Sequence, residues 1–190
     1  MHNGEWKPYI GKDVYKKVLG LVGFGAIAKN VARRANGFSM QVLVYDPFVT
    51  EVPDVFKNYV QLVDFDTLVK ESDIISIHVP LTDETKDLFD KQTIYSMKKE
   101  AFLINTGRGG IINEVDLYEC MKSGHLGGVA LDVVEVEPMT KDNPLLTLEN
   151  LIVTPHIGMY SLEAISAVSI VCAQNIVKKL KGEAPDYLIV

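Results

Sequence analysis

The segment Val22-Gly23-Phe24-Gly25-Ala26-Ile27-Ala28 decides the reading of this chain. It closes a short apolar run, Val18–Gly23, and opens an amphipathic stretch, Ala26–Asn36, so a GxGxxG/A pattern stands between a strand and a helix. Each small residue has a mechanical task there. Gly23 makes the tight turn, Gly25 lets backbone approach a pyrophosphate with no Cβ in the way, and Ala28 allows the helix to pack closely on the strand. The N–H groups at the helix start, around Ala26 and Ile27, then meet the anion together with the positive end of the helix dipole. Taken alone, such a glycine pattern also fits an ordinary tight turn. The second apolar run, Gln41–Tyr45, leads into Asp46, 21 residues beyond Gly25, about where a carboxylate must sit to bond the ribose hydroxyls of a dinucleotide. The plain alternative for Asp46-Pro47 is a turn opener. No Arg or Lys occupies positions 47 to 49, so a 2′-phosphate would meet an uncompensated carboxylate, and NAD is expected over NADP.

Outward from this turn, short β-branched runs alternate with amphipathic stretches, the pattern of βαβ units wound into a parallel sheet. Strands are expected at Val18–Gly23, Gln41–Tyr45, Tyr59–Leu62, Asp73–Val79, Ala101–Asn105, Gly128–Val133 and Leu151–Thr154. Helices are expected at Ala26–Asn36, Asp66–Glu71, Lys91–Met97, Glu114–Ser123, stopped by Gly124, and Ser161–Lys181, where Ser161 caps and the charges of Glu163, Lys178, Lys179 and Lys181 complement the dipole. The expected fold is therefore α/β, a Rossmann-type doubly wound parallel sheet of about seven strands in a single domain. It spans residues 18–160, preceded by an arm at 1–17 and followed by a helix and tail at 161–190.

Composition narrows the function. The 190 residues are 47% hydrophobic, enough for one core without a metal or disulfide staple, and the net charge of −6 with no basic run argues against a nucleic-acid or anionic-membrane partner. Two cysteines, Cys120 and Cys172, both in helical stretches, suit reduced thiols in a cytoplasmic protein, and no apolar stretch is long enough to span a bilayer. No cluster has metal-ligand spacing.

Three polar residues follow three different C-terminal strands: Arg108 in Asn105-Thr106-Gly107-Arg108-Gly109-Gly110, Glu137 in Leu131-Asp132-Val133-Val134-Glu135-Val136-Glu137-Pro138, and His156 in Thr154-Pro155-His156-Ile157-Gly158. Singly, each has a bland reading: a surface ion pair, a solvated turn carboxylate, a buried structural histidine. Their joint placement after three strands, on the edge where the cofactor should lie, changes those odds. A histidine is the natural base near neutral pH, a carboxylate on its other ring nitrogen fixes the tautomer, and a planar guanidinium holds the substrate carboxylate. Another loop, His78-Val79-Pro80-Leu81-Thr82, belongs near the adenosine half of the cofactor, with His78 read as packed or hydrogen-bonded more than chemical.

These motifs, in this order, resemble the D-isomer-specific 2-hydroxyacid dehydrogenases, the family of D-3-phosphoglycerate, D-lactate and glycerate dehydrogenases. The resemblance implies that Arg108, Glu137 and His156 are catalytic and that Asp132 faces the nicotinamide carboxamide. It places the NAD contacts at Gly23, Gly25, Ala26, Ile27, Asp46, His78, Val79, Pro80, Thr106, Gly107, Arg108, Asp132, His156 and Gly158. Three positions depart from the family pattern without removing a chemical group: Met159 after Gly158, Ala28 at the helix-packing position, and Tyr15 for a leucine. The resemblance further implies a small 2-hydroxy or 2-keto acid substrate, 3-phosphoglycerate foremost. It also implies a homodimer through the nucleotide-binding domain, with Trp6, Tyr9 and Tyr15 as apolar anchors. Family members carry a flavodoxin-like substrate domain built mainly from residues that precede this segment, so the chain reads as a cofactor domain inactive by itself. An NAD-sensing, partner-binding corepressor of the same fold is the alternative.

Overall fold

The computed structural model describes Pro8 and residues 10–186. Its seven strands, β1 (Val18–Val22), β2 (Gln41–Tyr45), β3 (Val60–Leu62), β4 (Ile74–Ile77), β5 (Phe102–Asn105), β6 (Gly128–Leu131) and β7 (Leu151–Val153), pair in the order β3-β2-β1-β4-β5-β6-β7. All pairs are parallel, from Val22↔Tyr45 and Val22↔Ile77 at the centre to Leu131↔Val153 at the far edge. The order reverses between β1 and β4, which opens a crevice beyond their carboxyl ends.

Period-two alternation sorts the side chains between two apolar layers. Leu19, Leu21, Val42 and Val44 pack under α1 (Ala26–Gly37) with Ala28, Ala32 and Ala35. On the opposite face Val22, Leu43, Ile75, Ile77, Leu103 and Val129 meet Leu68 of α2 (Phe65–Glu71), Ile94 of α3 (Lys91–Ser96) and Leu117 of α4 (Glu114–Lys122). Asp64, Asp90 and Asn113 cap those three helices by accepting a backbone N–H in the first turn.

All expected strands and helices are present with ends shifted by one or two residues, and Gly124 takes the left-handed conformation (φ 72°) that stops α4. Two short 3₁₀ turns, Asp54–Phe56 and Pro144–Thr147, were not expected; three or four residues carry no readable period, yet they bury Phe56 and Leu145. The sheet and α1–α4 form one compact unit ending at Pro155, and a second begins at His156. Thr154 N–H bonds the Leu131 carbonyl at 2.9 Å, and the Tyr160 and Ser161 N–H groups bond the Ile157 and Met159 carbonyls beside them.

The second unit carries α5 (Leu162–Leu180), capped by Ser161, whose hydroxyl accepts Ala164 N–H at 3.0 Å. Its tail folds back on the helix, with Asn175 exchanging two hydrogen bonds with the Asp186 backbone. No helix among the described residues is long and apolar enough to cross a membrane. Of the proposed arm, Trp6 and Tyr9 lie outside the described residues. Its later part is tied to the first unit by Lys16 N–H on the Phe38 carbonyl (3.2 Å) and by Lys12 on Glu100 (2.7 Å), with Tyr15 half exposed.

Candidate active site

The β1–α1 turn is built as the glycine pattern anticipates, and Asp46 is part of it. Gly23 is buried at φ 92°, where a Cβ is disfavoured, and Ala28 is fully buried against the sheet. Gly25 differs. Its φ of −74° suits any residue and no protein atom lies within 4 Å of where a Cβ would stand. Nothing inside the protein requires glycine there, and the bare position leaves this side of the loop open to the close approach of a ligand. α1 is also the one among α1–α5 without a capping side chain, and its first turn carries no acidic residue, which leaves Ala26 and Ile27 exposed at a positive helix end. Asp46 accepts Phe24 N–H at 2.8 Å and Phe48 N–H at 2.9 Å. It is both a turn opener and the brace of the glycine loop, and each oxygen keeps a lone pair for a ribose hydroxyl. These features fit a dinucleotide.

Across the crevice, His78 follows β4, half-buried, with Nε2 3.0 Å from Ser76 Oγ, and burial lowers its pKa from 6.5 to about 4. It is neutral at pH 7 and suited to packing, as expected. The folded protein keeps His78 neutral down to about pH 4, whereas an unfolded chain protonates it near 6.5, so acid draws the equilibrium toward unfolding. The contribution is complete above pH 6.5 and falls toward pH 4, by about 2 kcal/mol between pH 7 and pH 5. Urea denaturation at both pH values measures it against His78→Gln; equal pH slopes in the two proteins would refute the assignment.

Strand ends β5 and β6 deliver the candidate chemical groups. Beyond β5, Thr106 and Arg108 are exposed, and the Arg108 guanidinium donates to the Gly107 carbonyl at 2.8 Å. Beyond β6, Asp132 is buried and accepts the Thr154 hydroxyl at 2.5 Å, while the exposed Glu137 carboxylate accepts Val134 N–H at 3.2 Å. The first unit thus gathers Gly23–Ile27, Asp46, His78–Pro80, Thr106–Arg108, Asp132 and Glu137 at the carboxyl edge of one sheet. His156 and Gly158 belong to the second unit. His156 is exposed and left-handed (φ 54°), a conformation uncommon outside glycine and frequent at functional sites. Among the described residues, no group of three or more His, Cys, Asp and Glu side chains could hold a metal ion.

Three supporting residues had no assigned role in the sequence reading. Phe24, the residue inside GxG, is buried edge-on against Phe56 with centroids 5.4 Å apart, anchoring the loop. Asn105 bonds two backbone groups of the Arg108 turn. Glu114, in the first turn of α4, accepts Glu135 N–H at 2.6 Å and ties down the Glu137 loop. The available signals were an aromatic between two turn glycines and a polar residue closing an apolar strand.

Residues 1–158 match the family model described as D-isomer specific 2-hydroxyacid dehydrogenase, NAD binding domain. The chain is 42% identical to a D-3-phosphoglycerate dehydrogenase of Methanocaldococcus jannaschii over 193 aligned residues, which covers all of this chain and 36% of that protein. It is 44% identical to a hydroxypyruvate reductase of Thermotoga maritima over 186 residues, covering 95% of this chain and 59% of the relative. A crystal structure of D-lactate dehydrogenase with NAD⁺ from Lactobacillus jensenii superposes with a TM-score of 0.87 at 26% identity, covering all of this chain and 61% of that one. The chain therefore spans between about a third and three fifths of the length of these proteins.

Proposed function

The chain belongs to the D-isomer-specific 2-hydroxyacid dehydrogenase family through its NAD-binding domain, and on that premise we propose that it is the cofactor half of an enzyme that transfers hydride between NAD and a small 2-hydroxy or 2-keto acid. The observation that carries the reading is Gly25, a glycine that nothing in the protein demands, at an uncapped helix start beside Asp46. Gly25 and the N–H groups of Ala26 and Ile27 hold the pyrophosphate, and Asp46 holds the ribose. His78–Pro80 flank the adenosine half; Thr106, Gly107, Asp132 and Gly158 lie along the nicotinamide half. When bound, NAD supplies the hydride acceptor. His156 takes the substrate hydroxyl proton, Glu137 holds the imidazole in the productive tautomer and stabilises its cation, and Arg108 clamps the substrate carboxylate and polarises the adjacent carbonyl. The order of the motifs supports grouping these three residues. The domain limits follow the family pattern: an arm before β1, the nucleotide-binding body, and a terminal helix and tail.

Substrate closure belongs to the remainder of a family enzyme, so the chain alone binds cofactor and turns over little. Calorimetric titration tests this: NADH binds, and NADPH binds at least about tenfold more weakly because its 2′-phosphate meets Asp46. Absence of NADH binding at millimolar concentration, or a preference for NADPH, would overturn it. A cytoplasmic setting suits the two free thiols, Cys120 buried and Cys172 exposed. We also propose pairing of two nucleotide-binding domains, for which the half-exposed Tyr15 offers one anchor. A monomeric sedimentation profile at high concentration would remove that part.

A further inference from the structure

We propose that Asn105 is the positioning residue of Arg108, a role that rests on Arg108 acting as the substrate's carboxylate clamp. The Arg108 guanidinium is exposed and bonds back to the carbonyl of its own neighbour, Gly107, so its aim is set by the course of the main chain. That course is set by one buried amide. Asn105, 2% exposed at the end of β5, accepts Gly107 N–H at Oδ1 (2.9 Å) and donates from Nδ2 to the Arg108 carbonyl (2.9 Å). Its own backbone is fixed between the flanking strands, in register with Ile77 and Leu131, and its carbonyl accepts Asp132 N–H at 2.9 Å. Gly107 lies against the Val79 carbonyl with no room for a Cβ, which seats the turn on the loop after β4. The site needs one donor and one acceptor on a single short planar group, and among the neutral side chains asparagine supplies that. A serine is too short to span both groups, and an ionised aspartate would set negative charge against the Arg108 carbonyl.

A protonated aspartic acid has the same donor and acceptor as the amide, which gives the test its form. The unaltered chain, Asn105→Ala and Asn105→Asp are compared between pH 5 and pH 8, with and without NADH. Gly107 amide exchange is followed by NMR, and oxalate binding to the NADH-loaded chain by calorimetry. The other groups that titrate or carry charge nearby, His78 after β4, Asp132 after β6 and Arg108 itself, are common to all three proteins. Asn105→Ala speeds Gly107 exchange at least about tenfold and weakens oxalate binding about fivefold, with NADH affinity falling less than oxalate affinity because the pyrophosphate and ribose contacts lie on the β1–α1 turn. Burial of position 105 raises the carboxyl pKa of Asn105→Asp above the free value, so this variant moves toward the unaltered chain as the pH falls to 5 and toward the alanine variant at pH 8, a trend that loss of packing alone does not produce. Gly107 exchange unchanged in both variants, or a pH-independent aspartate variant, would overturn the role. If the alanine variant does not fold, the aspartate variant across pH decides. If the unaltered chain fails to bind NADH, the functional reading falls, and Gly107 exchange in the free protein still decides this one.

Discussion

Gly25→Asp is expected to leave the fold as stable as before or more so, and to weaken NADH binding at least about 100-fold. The two effects have opposite signs because they come from different sides of one residue. Toward the protein, Gly25 is the residue before α1, in an extended conformation (φ −74°, ψ −167°), with no side-chain cap on the helix. Aspartate is among the preferred residues there. It accepts a first-turn N–H and adds negative charge at the positive end of the dipole, together worth about 1 kcal/mol in favour of folding. Toward solvent, a Cβ at Gly25 meets no atom of the chain within 4 Å, so the carboxylate enters the space assigned to the pyrophosphate and takes up the same N–H groups. Thermal unfolding and calorimetric titration on one sample read both. Unchanged NADH affinity would show that the pyrophosphate lies elsewhere, and a large drop in Tm together with lost binding would show that Gly25 serves the fold.

The contrast between Gly25 and its surroundings also explains how much of this molecule was legible from residues alone. Strands covered on both faces must be apolar almost throughout, so β4 and β5 could be read as Asp73–Val79 and Ala101–Asn105, and the glycine turn marked the carboxyl end of the sheet as the candidate cofactor edge. What remained hidden was long-range polar wiring. The Phe24–Asp46 bond joins residues 22 apart, and Glu114 reaches Glu135 across 21; neither has a local signature. Asn105 was visible as a polar residue ending an apolar run, but its two bonds depend on how the following glycines turn back. The two 3₁₀ turns were hidden because Phe56 and Leu145 are buried by tertiary contact beside apolar neighbours, Val55 and Leu146, that stay exposed, with no helical period to announce them.

The same wiring makes Gly109→Ala the substitution with the largest expected cost to stability. Gly109 follows Arg108, and an added Cβ would run into the Val134 carbonyl group and come within 2.8 Å of Glu135 N. These are main-chain atoms of the loop that carries Glu137, held in place by Val134 N–H on Glu137 and Glu135 N–H on Glu114, so no flexible side chain can move aside. The methyl group must push the Arg108 turn and the Glu137 loop apart. Overpacking of this kind costs about 2–3 kcal/mol and lowers Tm by roughly 5–10 °C. Gly37→Ala is the matched control, because it too lies in the first unit and its Cβ would meet nothing within 4 Å; it is expected within about 0.5 kcal/mol of the unaltered chain. NADH affinity should fall less than oxalate affinity in Gly109→Ala, since the glycine loop and Asp46 are braced independently by Phe24 and Phe56. Oxalate binding to the NADH-loaded chain should fall about tenfold or more, because the guanidinium moves with its turn. If the Tm of Gly109→Ala matches that of Gly37→Ala, the two loops are not in contact and Arg108 and Glu137 are set independently. A lowered Tm with intact oxalate binding would mean that the turn gives way on the far side of Gly109 and leaves Arg108 where Asn105 holds it.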